Sequence, residues 1–183
     1  MSNDKGSFHV RKLVFMGLAA ALAYVVTFIQ IPVFGFLTYD PKDVVIVLAG
    51  FVVGPIGACV IAIVVAGIEM LTISATGPIG FVMNAASSCA FAGIASFIYT
   101  RNRTLKGALI GVATGGLAMV ALMLMLNYFL VPIYMGVPPE AVLALMLPVL
   151  LPFNLLKMGV NGVLVLALFK PFTKAAERAT IKV

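Results

Sequence analysis

The sequence predicts an all-α integral membrane protein with six transmembrane helices and both termini in the cytoplasm. Of its 183 residues, 63% are hydrophobic and only 10% are charged, whereas soluble domains are about 45–50% apolar and about 25% charged. Six spans of roughly 20 residues use about 120 residues, which leaves no room for a soluble catalytic domain. We therefore predict a single membrane domain over 1–183, with cytoplasmic tails at 1–10 and 171–183.

The predicted spans follow the apolar runs, which cover 13–30, 44–53, 56–73, 78–99, 105–131 and 149–169. The second and third runs form one apolar stretch that is divided by Gly54-Pro55, a pair typical of turns. Six spans, rather than five, place the basic groups around Lys12, Arg103 and Lys174 on one side of the membrane. The basic residues behind the net charge of +6 thus serve to orient the helices in the lipid bilayer. We therefore expect no nucleic-acid partner.

The outer connections of this topology are 31–42, 74–77 and 132–148. Asp40 is predicted as the N-cap of the second span, with Pro41 at the first helical position and Asp43 in the first turn, so the simplest role of both aspartates is capping. Prolines surround the apolar segment 140–147. This pattern indicates a short helix that lies over the outer face.

Polar side chains within membrane spans are costly, so each is a candidate functional residue. With a rise of 1.5 Å per residue, five of them from four helices lie about 6–12 Å below the outer ends of their spans. These five are Glu69, Asn84, Asn127, Asn154 and Lys157. Their convergence predicts a binding pocket that opens to the outside.

Each of these residues also has a structural interpretation. An asparagine can simply form a hydrogen bond between helices, and Asn161, which is deeper, is expected to do so. Lys157 can form an ion pair with Glu69 or extend toward the lipid headgroups.

The chemistry of the predicted pocket favours binding over catalysis. Asparagine amides offer a paired donor and acceptor, which match the edge of an amide-bearing heterocycle, and Lys157 adds a cationic donor. The sequence has no catalytic carboxylate pair, no Ser-His-Asp set, no His/Cys metal-ligand set and no phosphate-binding loop. We therefore expect no enzymatic activity, no metal site and no ATPase of its own.

Several stretches resemble the substrate-binding S components of energy-coupling factor (ECF) vitamin transporters, and most closely the riboflavin-specific members. The resemblance covers nearly the whole chain. It is carried by Leu37-Thr38-Tyr39-Asp40-Pro41-Lys42-Asp43, Phe51-Val52-Val53-Gly54-Pro55, Gly77-Pro78-Ile79-Gly80 with Asn84, Asn127-Tyr128-Phe129 and Pro152-Phe153-Asn154-Leu155-Leu156-Lys157.

The resemblance implies a high-affinity riboflavin receptor in a prokaryotic plasma membrane, with FMN kept open as a second ligand. Its partners would be a membrane coupling protein (the T component) and two ATP-binding cassette ATPases. The substrate-binding residues would be Asn127, Asn154, Lys157, Thr38, Tyr39, Asn84 and Glu69. Ala19 and Ala23 would face the coupling protein. Lys42 departs from the small polar residue that many relatives have there.

Three other interpretations remain. An S component for another vitamin fits the same topology, although cationic thiamin would not favour a central Lys157. A self-sufficient secondary permease would often show paired intramembrane carboxylates or an inverted repeat. A purely structural membrane protein would not need Lys157.

Overall fold

The computed structural model describes residues 3–34 and 37–178. Over these residues the chain forms six helical segments joined by short connections, with one β-hairpin after the first segment. The hairpin pairs β1 (Ile31–Phe34) antiparallel with β2 (Leu37–Tyr39). The six segments are α1 (Asn3–Thr27), α2 (Lys42–Val53), α3 (Pro55–Thr72), a composite of α4 (Gly77–Ser88), a π-helical turn (Cys89–Gly93) and α5 (Ile94–Arg101), then α6 (Leu105–Met135), and a composite of α7 (Pro139–Leu145), a second π-helical turn (Met146–Leu150) and α8 (Leu151–Arg178).

The helices expose large apolar side chains on their outer faces, as helices in lipid do. Leu13, Leu71 and Ile133 are all at least 70% exposed, which water would penalise but hydrocarbon does not. Among the described residues, five helical segments are long and apolar enough to cross a membrane. Helix α2 has 12 residues and is therefore only about 18 Å long. Its crossing of the bilayer stays a prediction.

The predicted division at Gly54-Pro55 is confirmed. Gly54 joins α2 to α3 with φ = 85°, a conformation that favours glycine because it has no Cβ. Pro55 then occupies the first position of α3, where its missing N–H removes no helical hydrogen bond.

An aromatic cluster brings together the ends of α2 and α5 and the C-terminal half of α8. The ring of Phe51 lies 4.3 Å from that of Tyr99 and 6.0 Å from that of Phe169, measured between centroids. Arg101 and Lys170 adjoin this cluster in sequence, so two of the predicted basic groups lie at one end of the bundle. We call it the basic end and the opposite one the hairpin end. That the basic end faces the cytoplasm stays a prediction from charge.

Two glycines of α6 let its backbone approach the fourth segment closely. A Cβ on Gly111 would lie 2.6 Å from the carbonyl oxygen of Ala95, and one on Gly115 would lie 2.5 Å from that of Phe91. Small residues at four-residue spacing thus serve packing between helices of this chain.

Ala19 and Ala23 serve the same purpose, which corrects the prediction that they face a partner protein. Ala23 is fully buried and Ala19 is 8% exposed, and both belong to the main hydrophobic core with residues of α2 and α3. Small side chains allow close helix approach within a chain as well as between chains, so their spacing alone cannot distinguish the two roles.

The outer connections contain more regular structure than predicted. The first includes the β-hairpin, and α2 begins at Lys42 with Pro41 as its N-cap, one residue later than expected. The predicted short helix near 140–147 is present as α7. It packs on α6 through a second small core of Val131, Val142 and Leu150.

The ends of the chain are helical where they are described. Helix α1 begins at Asn3 and α8 continues to Arg178, so both predicted tails are largely extensions of the bundle. Residues 1–2 and 179–183 of those tails lie outside the described residues.

Candidate ligand-binding site

A cavity of about 330 Å³ opens at the hairpin end, a size typical of small-molecule sites. Side chains from the hairpin and from α1, α2, α3, α4, α6 and α8 line it. All five polar residues predicted to converge lie on its wall, namely Glu69, Asn84, Asn127, Asn154 and Lys157. The depth argument from helical rise therefore located the cavity correctly.

Asn127 and Asn154 line this cavity, and their amide nitrogens are bonded to carbonyl groups of the protein. The Nδ2 group of Asn127 donates to the carbonyl of Met123 at 2.6 Å, and that of Asn154 donates to the carbonyl of Leu150 at 2.8 Å. Each bond returns to the preceding turn of its own helix and fixes the side chain. The two Oδ1 atoms remain as acceptors for a ligand N–H.

Lys157 is held by Asp43 in the first turn of α2 and by Asp40, two residues before that helix begins. Its Nζ lies 3.2 Å from Oδ2 of Asp43 and 4.0 Å from Oδ2 of Asp40. Asp43 is fully buried, and its Oδ1 accepts a hydrogen bond from the hydroxyl of Ser88. Asp43, predicted only as a capping residue, is therefore the main counter-charge of Lys157, which corrects the alternative pairing of Lys157 with Glu69.

Glu69 instead pairs with Lys42. The Nζ of Lys42 donates to Oε1 at 2.8 Å and to Oε2 at 2.6 Å. The hydroxyl of Thr27 donates to Oε1 at 2.9 Å, and the amide of Asn84 donates to Oε2 at 3.3 Å. Glu69 thus ties α1, α2 and α4 to α3 on the cavity wall, and its oxygens are already occupied by protein donors.

Tyr39 and Thr38 are neighbours in β2 with different positions. Thr38 lies on the cavity wall, whereas Tyr39 is not among the lining residues. The hydroxyl of Tyr39 donates to Oδ1 of Asn161 at 2.8 Å. Burial raises the pKa of Tyr39 to about 12. Asn161 bonds to the hairpin, and its Nδ2 has no hydrogen-bond partner among the described residues.

Reasoning from the sequence missed four contributors to the site: Thr27, Lys42, Asp43 and Ser88. A charge balance would have found two of them. A buried lysine needs an opposite charge within reach, and the start of α2 offers such groups at the depth of Lys157. Thr27 and Ser88 gave no signal, because hydroxyl residues near helix ends are common.

The cavity as a whole suits a ligand with both polar and apolar surface. Asparagine amides, hydroxyls and an ammonium group line the wall together with the apolar side chains of Met83, Val131 and Phe153. Among the described residues, no group of three or more histidine, cysteine, aspartate or glutamate side chains could hold a metal ion.

Comparisons with known proteins agree with this geometry. The family model described as "ECF transporter, substrate-specific component" matches residues 11–169. The riboflavin transporter RibU of Staphylococcus aureus (strain TCH60) is 29% identical over 177 residues, covering 92% of this chain and 93% of that protein. The riboflavin transporter FmnP of Bacillus subtilis (strain 168) is 25% identical over 160 residues, covering 81% and 84%.

A solved structure described as the S component of a bacterial ECF transporter has the same fold. It superposes with a TM-score of 0.77 at 27% identity, covering 91% of this chain and 97% of that one.

Proposed function

The chain belongs to the substrate-specific components of ECF transporters, and on that premise we propose that it binds riboflavin for import. The main support for this proposal is the cavity at the hairpin end, which is lined by Asn127, Asn154 and Lys157. The similarity to two riboflavin transporters over most of the chain supports the same ligand. A multi-pass membrane protein of this family would act in a prokaryotic plasma membrane.

The chemistry of riboflavin fits the groups on the wall. The pyrimidine edge of its ring carries an N–H between two carbonyls. The Oδ1 atom of either Asn127 or Asn154 can accept from that N–H, and Lys157 can donate to a ring carbonyl or nitrogen. Thr38, Gln30 and Thr76 line the same cavity and are available to the hydroxyls of the ribityl chain.

A direct binding measurement tests this proposal. The purified, ligand-free chain is titrated into riboflavin while the flavin fluorescence is recorded, and thiamin is added in excess as a competitor. We expect saturable quenching that thiamin does not reverse. Folded protein that produces no saturable quenching would overturn the proposal, and displacement by thiamin would favour an S component for another vitamin.

The proposed energy source lies outside the chain. The sequence has no phosphate-binding loop, so uptake would depend on a membrane coupling protein and two ATP-binding cassette ATPases. Because Ala19 and Ala23 are buried, contact with the coupling protein would use other residues. Liposomes that contain the chain alone should not concentrate riboflavin, whereas liposomes with all the subunits should do so with ATP. Concentration by the chain alone that a protonophore abolishes would instead favour the permease.

A further inference from the structure

Lys42 and Glu69 form an ion pair that is built into the wall of the cavity. Both residues are 3% exposed and both line the cavity. The two Nζ–Oε distances of 2.8 and 2.6 Å show that both carboxylate oxygens hold the same ammonium group. An ammonium group held in this way has little capacity left for an anionic ligand.

The charges around the cavity sum to a negative value. Three carboxylates (Asp40, Asp43 and Glu69) and two ammonium groups (Lys42 and Lys157) lie on its wall or in contact with a charged group on it. Asp40 lies 4.0 Å from both lysines. Among the described residues, no arginine or histidine lines the cavity. The formal charge of the group is therefore −1.

We propose that Glu69 determines specificity, in that it neutralises Lys42 and so keeps the cavity selective for a neutral flavin over its 5′-phosphate, FMN. This inference rests on the proposed function. A phosphate monoester carries about −1.5 to −2 charges near pH 7. In a partly desolvated cavity that is already negative, such a group is repelled, and each lysine that could offset it is bound to a carboxylate of the protein.

The ion pair also explains why Lys42, judged from the sequence alone, wrongly suggests a contact with a phosphate group. A lysine beside a predicted flavin site resembles a phosphate contact. Glu69 removes that possibility because it comes from a different helix and reaches the same Nζ. The carboxylate of Glu69 is therefore the group that disfavours FMN, because it neutralises Lys42. It also leaves the group of charges around the cavity with a net negative charge, which repels a phosphate.

The experiment measures the ratio of the Kd for FMN to the Kd for riboflavin at fixed pH and ionic strength. In the wild type we expect a ratio of about ten or more, since one unit of charge repulsion at 10–12 Å corresponds to about tenfold in affinity at an effective dielectric constant near 20. Glu69→Gln should lower the ratio about tenfold because it frees Lys42 and removes one negative charge. Lys42→Met should raise the ratio.

Glu140→Gln is the matched control. Glu140 lies in α7 at the same end of the bundle but is exposed and outside the cavity lining. The same chemical change there should leave the ratio unchanged. An equal fall of the ratio in Glu140→Gln and Glu69→Gln would mean that general surface charge sets the selectivity, which overturns the inference.

The double variant Lys42→Met/Glu69→Gln keeps the test decisive where Glu69→Gln alone does not fold. It retains the formal charge of −1 and should retain the wild-type ratio. A wild type that binds both flavins equally, or a double variant that binds FMN as well as riboflavin, overturns the inference. Failure of the wild type to bind riboflavin at all is a different result, which overturns the proposed function.

Discussion

The hydroxyl of Tyr39 in the β-hairpin donates a hydrogen bond to Oδ1 of Asn161 in α8, at 2.8 Å and across 122 positions of sequence. Both side chains are buried, at 5% and 0% exposure. This bond fixes the hairpin to the last helix beside the cavity. It thereby sets the position of Thr38, the neighbouring residue that lines the wall.

Tyr39→Phe should destabilise the protein by about 1–3 kcal/mol, because it leaves the buried amide of Asn161 without its donor. Thermal unfolding in detergent measures this loss. Tyr128→Phe is the control, since Tyr128 is 38% exposed. Equal stability of Tyr39→Phe and wild type would show that the bond contributes nothing.

The stability of the wild type and that of Tyr39→Phe should also differ in their dependence on pH. Burial raises the pKa of Tyr39 from 10.0 to about 12, so the folded state keeps its proton after the unfolded state has lost one. The resulting stabilisation is complete below pH 10 and is lost as the pH rises toward 12. Between pH 9 and 11.5, the stability of the wild type should therefore fall more steeply than that of Tyr39→Phe. Parallel curves of stability against pH would contradict a raised pKa of Tyr39 in the folded state.

Lys157→Met should destabilise the chain by about 3–5 kcal/mol, because it leaves the carboxylate of Asp43 buried without a counter-charge. Asp43→Asn added to Lys157→Met should recover much of that loss, since neither buried charge then remains. Chemical denaturation of the single and double variants gives the coupling energy. Additive effects in this double-mutant cycle would mean that the two groups do not interact.

Asn127→Ala and Asn154→Ala should each weaken riboflavin binding by about 1–3 kcal/mol, or roughly 5- to 150-fold. Each variant removes an amide acceptor from a residue that lines the cavity, while the fold is retained. Fluorescence titration provides the affinities. Asn102→Ala, at the exposed end of α5 near the basic end, is the control and should bind like the wild type. Normal binding by both cavity variants would place the ligand elsewhere.

Ala23→Leu should destabilise the bundle by about 1–3 kcal/mol through overpacking, because Ala23 is fully buried between helices. Ala21→Leu is matched in chemistry and lies two residues away on the exposed face of α1, so it should have little effect on stability. Thermal unfolding compares the two. A destabilised Ala21→Leu beside a normal Ala23→Leu would reverse the orientation of α1.

The helices and the location of the site could be predicted because both follow from regular geometry. Apolar runs specify the spans, and the constant rise per residue brings Glu69, Asn127 and Lys157 to one depth. The partners of each charge could not be predicted, since Lys157 has several carboxylates within reach and only packing selects Asp43. For the same reason the spacing of Ala19 and Ala23 could not show whether they face the interior or a second protein.

The π-helical turns and the hairpin were also invisible in the sequence. A π turn differs from an α-helix by one inserted residue and has no composition of its own, so 78–99 was predicted as one uninterrupted helix. Strand β1 has four residues and contains Pro32, which argues against a strand unless a partner and a sheet edge are available. Thr38 and Leu37 supply that pairing only in the folded chain.

The 12-residue length of α2 has a consequence for hydration. The hydrocarbon layer is about 30 Å thick, so a helix of about 18 Å leaves the adjoining hairpin at a depth where lipid would otherwise reach its backbone. A two-stranded hairpin has unpaired N–H and C=O groups along its edges, and hydrocarbon cannot satisfy them. In a bundle that spans the bilayer with α2 as its second helix, we therefore expect water above α2, where it solvates those groups. A ligand that enters the cavity displaces water and covers the apolar side chains of Met83, Val131 and Phe153. Because apolar surface is buried, calorimetry should record a negative heat-capacity change on binding.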